Sequence, residues 1–392
     1  MMVDPMMECV VEEVRIEPAA GHQISIPFGG PLWEGHSPPE FVYHIRDGRP
    51  AMFPVHESDL APDVIFGPVV WGGYAAQNFG NFLAEYVPRL AASVARHPDG
   101  QFLFLLPHDV SAARLKSWFW ETLDWFGISR AQVLFCGAVP VVVSELHVFP
   151  QGEYMGAGGA PSEAYLDLLD SNARARGLGD KGDNVVYVSR AGLGDRSLGG
   201  EIYVEGVLDS VGVKTVRPET LVISEQLSWY MRARTLIFAE GSAVHGRQLL
   251  GRRAGSEAVL VRRRGQRFCR RALEPRCGTL HYLDTLDASV HFFVDSRTGR
   301  PTPYNAFPLL NAGRIISSFS SLGVDLSPSW SDREFYRQLE SDLDSWATAV
   351  CSRASAGTLV DRMRLMEGSL YGCGKQKYVA RLAEIATAAA SG

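Results

Sequence analysis

A chain of 392 residues, 46% of them hydrophobic, exceeds the roughly 250–300 residues at which one core usually divides, so two domains are expected. The charged fraction of 21% and formal net charge of -6 are those of an ordinary globular protein. They exclude an extended disordered chain and a global positive field that would draw in nucleic acid or an acidic membrane.

The opening residues, MMVDPMMECVVEEVRIEP, carry acids and a proline where an export signal needs a basic stretch and then an apolar run. No window approaches about 18 uninterrupted apolar residues, so no membrane span is expected. The localisation expected is cytoplasmic, with room for peripheral contact on the inner membrane face. Six scattered cysteines form no CxxC pair and read as reduced thiols, a Cys269–Cys277 disulfide being the alternative.

The first sixty residues look like a small β-rich preamble. QISIPF, FVYHI and AMFPV are β-rich, and the last two flank Arg46, Asp47, Gly48, Arg49 and Pro50, a hairpin signal. DVIFGPVVW reads as a buried strand, and the spacing of Phe82, Tyr86 and Leu90 fits one helix face. QFLFLLP, SWFWETLDWFG, QVLFCG and ELHVFP continue the strand and helix alternation of a parallel α/β sheet. Trp118, Trp120 and Trp125 suit a packed helix face. Residues 1–160 form the expected first domain. Glycine-rich QGEYMGAGGAP then leads to Ser162 as N-cap of a linker helix in residues 161–180.

Residues 181–330 form the expected second domain. NVVYVSR, VKTVRP, TLIFAEG and EAVLVRR read as four strands joined by three short crossovers, a Rossmann-like sheet. Residues 265–330 carry no clear pattern. Residues 331–392 are a helical tail with Ser331 as a cap, expected to pack back on the first domain.

Ligands of open α/β sheets lie beyond the carboxyl ends of the strands, where helix N-termini present free N–H groups. Three loops of the second domain qualify. The first carries Ser189, Arg190 and Arg196; the second Glu219, Glu225 and Gln226; the third Glu240, Gly241, Ser242 and Ala243. Two guanidiniums, hydroxyls and small residues suit a diphosphate, whereas each loop taken singly also reads as ordinary helix capping. GxGxxG and GxxxxGK[ST] motifs are missing from these loops, so neither a dinucleotide nor a P-loop site is expected.

These residues resemble the C-terminal half of glycosyltransferase family 61. The resemblance runs through Tyr187, Ser189, Arg190, Arg196, Glu205, Gly212, Pro218, Glu219, Glu225, Gln226, Ala233 and the turn Gly241, Ser242, Ala243, His245. Asn78, Gly80, Phe82, Glu85, Pro88, Arg89 and Leu90 are similar to that family's N-terminal signature, an Asn, a His and an acidic residue before Pro-Arg-Leu. The resemblance covers residues 65–262. It implies a GT-B-type α/β architecture, two Rossmann-like domains facing across a cleft. It also implies an inverting transfer from a nucleotide-sugar to a glycan or lipid-linked glycan acceptor, in surface or capsular polysaccharide synthesis. No metal or other cofactor is implied, and the acidic pairs Asp167/Asp170 and Asp342/Asp344 fall in predicted helices.

Ser189, Arg190, Arg196, Glu219, Glu225, Gln226, Glu240, Gly241, Ser242 and Ala243 would then bind the donor, with Asn78 and Gly80 on the acceptor side. An inverting transfer needs a general base. Asn81 stands where the family has histidine, and an amide cannot take the proton. Glu85 is the nearest acid, its alternative role an i,i+4 ion pair with Arg89. His245 is a second candidate, placed equally well for sugar or phosphate contact. A non-catalytic nucleotide- or glycan-binding module would explain Asn81 directly. The arginine-rich run from Arg252 to Arg276, with Arg262, Arg263, Arg264, Arg267, Arg270 and Arg271, reads either as a solvated edge or as a contact for a polyanion or acidic membrane.

Overall fold

The computed structural model describes residues 3–391, apart from positions 24, 25, 34, 52–54, 180, 181, 183, 264, 296, 297 and 355. Most of the expected AMFPV strand, the end of the linker helix and Arg264 thus lie outside the described residues.

Two sheets organise the molecule. The first contains β1 (Cys9–Glu17), β2 (Gly30–Pro31), β3 (Asp63–Tyr74), β4 (Gln101–Leu105), β5 (Val133–Cys136) and β6 (Val141–Val148). Their order is β2-β1-β6-β3-β4-β5. β5, β4, β3 and β6 run parallel, and β1 closes the β6 side antiparallel. In sequence terms the parallel strands lie 3-2-1-4, so the winding direction reverses between β3 and β6.

The second sheet contains β7 (Val185–Val188), β8 (Lys214–Val216), β9 (Thr235–Ala239), β10 (Arg253–Leu260) and β11 (Cys277–Leu283). It is parallel throughout, in the order β8-β7-β9-β10-β11. This is 2-1-3-4-5 in sequence terms, and the reversal falls between β7 and β9. The parallel alternation expected of both halves is present, with one strand more than expected in the second. β11 is the edge strand, and most of its residues are partly exposed. Residues 286–310 add an antiparallel pair, β12 (Leu286–Val290) and β13 (Phe307–Leu310).

The preamble hairpin forms, narrower than its sequence suggested. Ile45–Arg46 pairs with Arg49–Pro50, and Asp47 and Gly48 both take positive φ, 51° and 74°. That is the backbone a two-residue hairpin turn requires. The expected strand at FVYHI is broken, because Glu40–Val42 is a 3-10 turn.

After β3 the chain enters a composite helix, α1. It passes from an α-turn at Phe79–Asn81 through a π-turn at Phe82–Tyr86 and a 3-10 turn at Val87–Arg89 into Leu90–Arg96. Pro88 has no N–H to return to the preceding turn, which accounts for the change of pitch. The Asn78 side chain caps the start by accepting from Asn81 N at 3.1 Å.

The later helices are α2 (Ser117–Trp125), α3 (Glu163–Ala175), α4 (Glu201–Ser210), α5 (Ile223–Arg232), α6 (Arg270–Leu273), α7 (Ala312–Ser321), α8 (Asp332–Cys351), α9 (Ala356–Gly372) and α10 (Val379–Ser391). Ser162 caps α3 by accepting from Tyr165 N. The segment SAVHGRQLLG, expected as an ordinary helix, is 3-10 over Ser242–Leu249.

One apolar core runs from the first sheet through α2 and α3 to one face of the second, joining Leu103, Phe119, Trp125 and Tyr165 to Val188, Phe238 and Leu249. A second core covers the other face, where Tyr187, Ile237 and Leu260 meet α7–α10. Trp125 is buried in the first core, while Trp118 and Trp120 are partly buried against it. The tail helices therefore pack on the second half, not back on the first. Asp342 of α8 accepts from Gly200 N at 2.8 Å. Phe335 of α8 packs so closely on Gly200 that a Cβ there would lie 2.5 Å from the ring.

Candidate functional site

The loops leaving β7 and β9 meet where the winding of the second sheet reverses. Glu201, 1% exposed, organises the first loop. Its carboxylate accepts from Tyr187 Oη, Ser189 Oγ and the backbone N–H groups of Arg190 and Leu198, at 2.8, 3.1, 2.8 and 3.1 Å. Ser189 is thereby a framework residue. Arg190 is buried, and its Nε donates to the Arg196 carbonyl at 3.1 Å. No ion pair of Arg190 is found among the described residues.

Gly241 leaves room for that guanidinium. A Cβ at Gly241 would lie 1.6 Å from Arg190 Nη1, so any other residue there would displace the arginine. Gly241 itself is extended, with φ 173°.

β10 supplies what the sequence reading missed. Arg262 and Arg263 follow directly on this strand, so their position at a strand end was readable, but the dense arginine run drew attention to the surface instead. Glu240 pairs with Arg263 and accepts from Arg262 N at 2.7 Å. The Arg262 Nε is buried without a hydrogen-bond partner. Burial and the neighbouring Arg190 and Arg263 lower the Arg262 guanidinium to about 10. Burial, opposed by Glu201, also lowers Arg190. Arg196 lies at the same place, exposed. Four guanidiniums thus converge on the strand ends, with Glu240 and Glu201 as the buried acids among them.

The second loop contributes less. Glu219 is exposed yet touches the first loop, since a Cβ on Gly192 would lie 1.9 Å from its Oε1. Gln226 is buried and donates to the carbonyls of Pro218 and Leu221, both at 2.9 Å. Glu225 is exposed on α5, away from a pairing role. Ser242 is exposed and Ala243 partly so at the start of the 3-10 turn.

α1 of the first half meets this turn. A Cβ on Gly80 would lie 2.8 Å from His245 Cδ2 and 3.2 Å from Ser242 Oγ. His245 is buried, its Nδ1 hydrogen-bonded to Gln248 Oε1 at 2.6 Å, and burial lowers its pKa. Asn78 is exposed and Asn81 partly exposed at the same helix start.

Glu85, one turn further on, is 1% exposed. Its Oε2 meets His44 Nε2 at 2.8 Å and its Oε1 meets Arg46 at 3.2 Å. The π-turn changes the helix period, and Glu85 pairs with these preamble residues where an i,i+4 pair with Arg89 was the alternative. Gln151, just beyond β6, ties the two segments together. It donates to the Glu85 carbonyl at 2.8 Å and accepts from Ile45 N at 2.6 Å.

Under the preamble lies a cavity of about 400 Å³, walled by Trp33, Tyr43, Trp71, Tyr74 and Tyr86. His44 and Arg89 also line it. His44 Nδ1 and Arg89 Nε and Nη1 are buried without hydrogen-bond partners. Burial lowers Arg89 to about 10. Nothing in the sequence marked His44 or the burial of Arg89 against the preamble, because both depend on contacts between segments some forty residues apart.

Residues 79–248 match the model of the family described as glycosyltransferase 61. The match begins at α1 and ends in the 3-10 turn, so it contains Asn81, Glu85, Arg190, Gly241 and His245. It leaves outside the hairpin with His44 and Arg46, as well as Arg262 and Arg263. No match is found among curated proteins.

Of the remaining described arginines in the run, Arg253 and Arg276 are buried and Arg252 is partly exposed. Arg252 pairs with Glu163, Asp167 and Asp170. Arg253 lies near Glu257 at 3.7 Å, and buried Arg276 forms a bidentate pair with Glu153 at 2.6 and 2.9 Å. Arg270 pairs with Glu274 on the surface, while Arg267 and Arg271 are exposed. No described helix is long and apolar enough to cross a membrane.

Among the described acids and histidines, Glu8, His97 and His147 are grouped closely enough to hold a metal ion. Glu8 Oε1 already meets His97 Nε2 at 2.6 Å and His147 Nδ1 at 2.5 Å, and His147 Nε2 meets Glu145 at 2.7 Å. Hydrogen bonds satisfy this group, which lies at the far end of α1 from Gly80. Asp167 and Asp170 hold Arg252, and Asp344 holds Arg381. All six cysteines are free thiols.

Proposed function

We propose that the chain is a glycosyltransferase that moves a sugar from a nucleotide-sugar to a hydroxyl of a glycan or lipid-linked glycan. The observation that carries this reading is the guanidinium cluster of Arg190, Arg196, Arg262 and Arg263 at the reversal point of the second sheet. A buried guanidinium without a carboxylate is costly unless an anion joins it. A diphosphate supplies that anion, and arginine matches phosphate oxygens geometrically. The match of residues 79–248 to glycosyltransferase 61 supports the same reaction.

In this reading the sheets act as the two halves of a GT-B-type enzyme, the second holding the donor and the first the acceptor. As the acceptor oxygen attacks the anomeric carbon from the face opposite the nucleotide, charge grows on the departing diphosphate. Arg190 and Arg262 stabilise that charge in place and need no metal to do so. The transfer inverts the anomeric configuration. A cytoplasmic role in surface or capsular polysaccharide synthesis rests on the family likeness alone.

Purified protein incubated with UDP-, GDP- and CMP-sugars and a panel of glycan acceptors is expected to release free nucleotide. Nucleotide binding by calorimetry with no release under any combination would reject the transferase and leave a binding module. The Arg190→Ala variant is expected to bind nucleoside diphosphate roughly 10- to 100-fold more weakly, the range for losing a charged hydrogen-bond partner.

A further inference from the structure

We propose that His44, from the hairpin outside the family-matched segment, is the proton acceptor for the attacking hydroxyl, and that the aromatic cavity beneath the preamble is the acceptor site. This deepens the transferase reading and rests on it. Asn81 stands where the resemblance calls for a histidine, and an amide cannot take a proton. The fold brings a different histidine to the same helix.

The geometry is that of a histidine oriented by a carboxylate. Glu85 Oε2 holds Nε2 at 2.8 Å, which fixes the proton on that nitrogen and leaves Nδ1 bare. Nδ1 is buried, has no hydrogen-bond partner, and His44 lines the cavity. The ring is held flat against Tyr86, centroids 4.8 Å apart and planes 22° apart. A carboxylate, an oriented imidazole and an unpartnered nitrogen on a residue that lines a substrate-sized space are the parts from which a histidine general base is built.

The charged groups around His44 come from both packed elements: Glu85 and Arg89 from α1, and Arg46 from the hairpin. Burial lowers the His44 pKa, Glu85 opposes that shift, and the two arginines add to it. The imidazole is therefore neutral at pH 7 and ready to accept. α1 contributes Tyr86 and Arg89 to the cavity lining, and its start, at Gly80, rests on His245 and Ser242. The Glu85 charge also acts on His245.

The aromatic walls suit sugar rings, which present apolar faces for stacking and hydroxyls at the rim. As the acceptor oxygen bonds to the anomeric carbon, its proton passes to Nδ1. The bond from the anomeric carbon to the donor phosphate oxygen breaks, and the diphosphate leaves with the electron pair. Glu85 stabilises the imidazolium and acts as a positioning residue.

The test is His44→Asn in the full chain, read by nucleotide affinity and by transfer to the acceptor that the wild type uses. Donor affinity is expected to stay within about twofold, because the donor loops lie in the other sheet. The turnover number is expected to fall by roughly 10²- to 10⁴-fold, the usual contribution of a general base. The acid limb of the wild-type rate profile, lying below the ordinary histidine range, is expected to vanish in the variant. Turnover within a few-fold of wild type, or an unchanged acid limb, would overturn the proposal while leaving the transferase reading intact.

A second measurement decides the matter if the variant fails to fold or the wild type transfers nothing. The ¹⁵N spectrum of wild-type His44 at pH 7.5 is expected to show a protonated Nε2 and a bare Nδ1. A protonated Nδ1 would overturn the proposal. A wild type that binds nucleotide but never transfers would reject the parent reading instead, whatever the tautomer.

Discussion

At the scale of single residues, Arg190 and Gly241 form one unit. A methyl at Gly241 would lie 1.6 Å from Arg190 Nη1 and must displace the guanidinium, so Gly241→Ala is expected to weaken nucleotide binding about as much as Arg190→Ala. The double variant is expected to show little further loss, since residues in contact are not additive. Calorimetry of the three variants checks this. Full additivity would mean that Gly241 serves some other purpose.

His44 and His245 make a second residue-scale prediction. Both are buried with lowered pKa values, so the unfolded chain binds protons that the folded chain resists. Their contribution to stability is present above about pH 6.5, the unfolded value, and is lost as pH falls through the lower folded values. The urea midpoint of the wild type is therefore expected to drop more steeply between pH 7 and 5 than that of a His44→Asn/His245→Asn double variant. Equal slopes would contradict the burial argument.

At the scale of elements, the strands of both sheets were readable because buried parallel strands must be apolar on both faces. VVYV, TLIFA and QFLFL are continuous apolar runs for that reason. β11 escaped notice because an edge strand is covered on one side only, and CGTLHYL mixes polar and apolar residues accordingly. The loops at the strand ends of the second sheet were readable from strand ends alone, whereas the placement of His44 was not. Its partner Glu85 lies forty-one positions away, and only tertiary packing joins hairpin to helix.

The start of α1 carries its own test. Gly80 is the point where the first half rests on His245 and Ser242. Gly80→Val would push a branched side chain into that contact, and overpacking costs about 1–3 kcal/mol. Thermal denaturation should register the loss, together with weaker nucleotide binding. Wild-type stability and affinity would show that the contact is loose. Ser162→Ala, which removes only the α3 cap, should cost about 1 kcal/mol and leave nucleotide binding unchanged.

At the scale of the whole molecule, the two sheets share a continuous core and are pinned by the buried pair of Glu153 and Arg276. Replacing Glu153 with Gln leaves Arg276 without its charge partner in the interior, a change that typically costs about 3–5 kcal/mol. Urea unfolding of the wild type should proceed in one transition seen by every probe, and Glu153→Gln should shift the whole transition. Two separated transitions would mean that the halves fold independently.

The start of α1 packs through Gly80 on the His245 and Ser242 turn of the second half, and the proposed transfer requires donor and acceptor to meet there. The central claim is that the Arg190 cluster is the diphosphate site. A crystal structure of the protein with a bound nucleoside diphosphate tests it most directly. The diphosphate is expected within hydrogen-bond distance of Arg190 and Arg262, beside the Gly241 and Ser242 turn. A diphosphate seated elsewhere, making no contact with the Arg190 guanidinium, would contradict it.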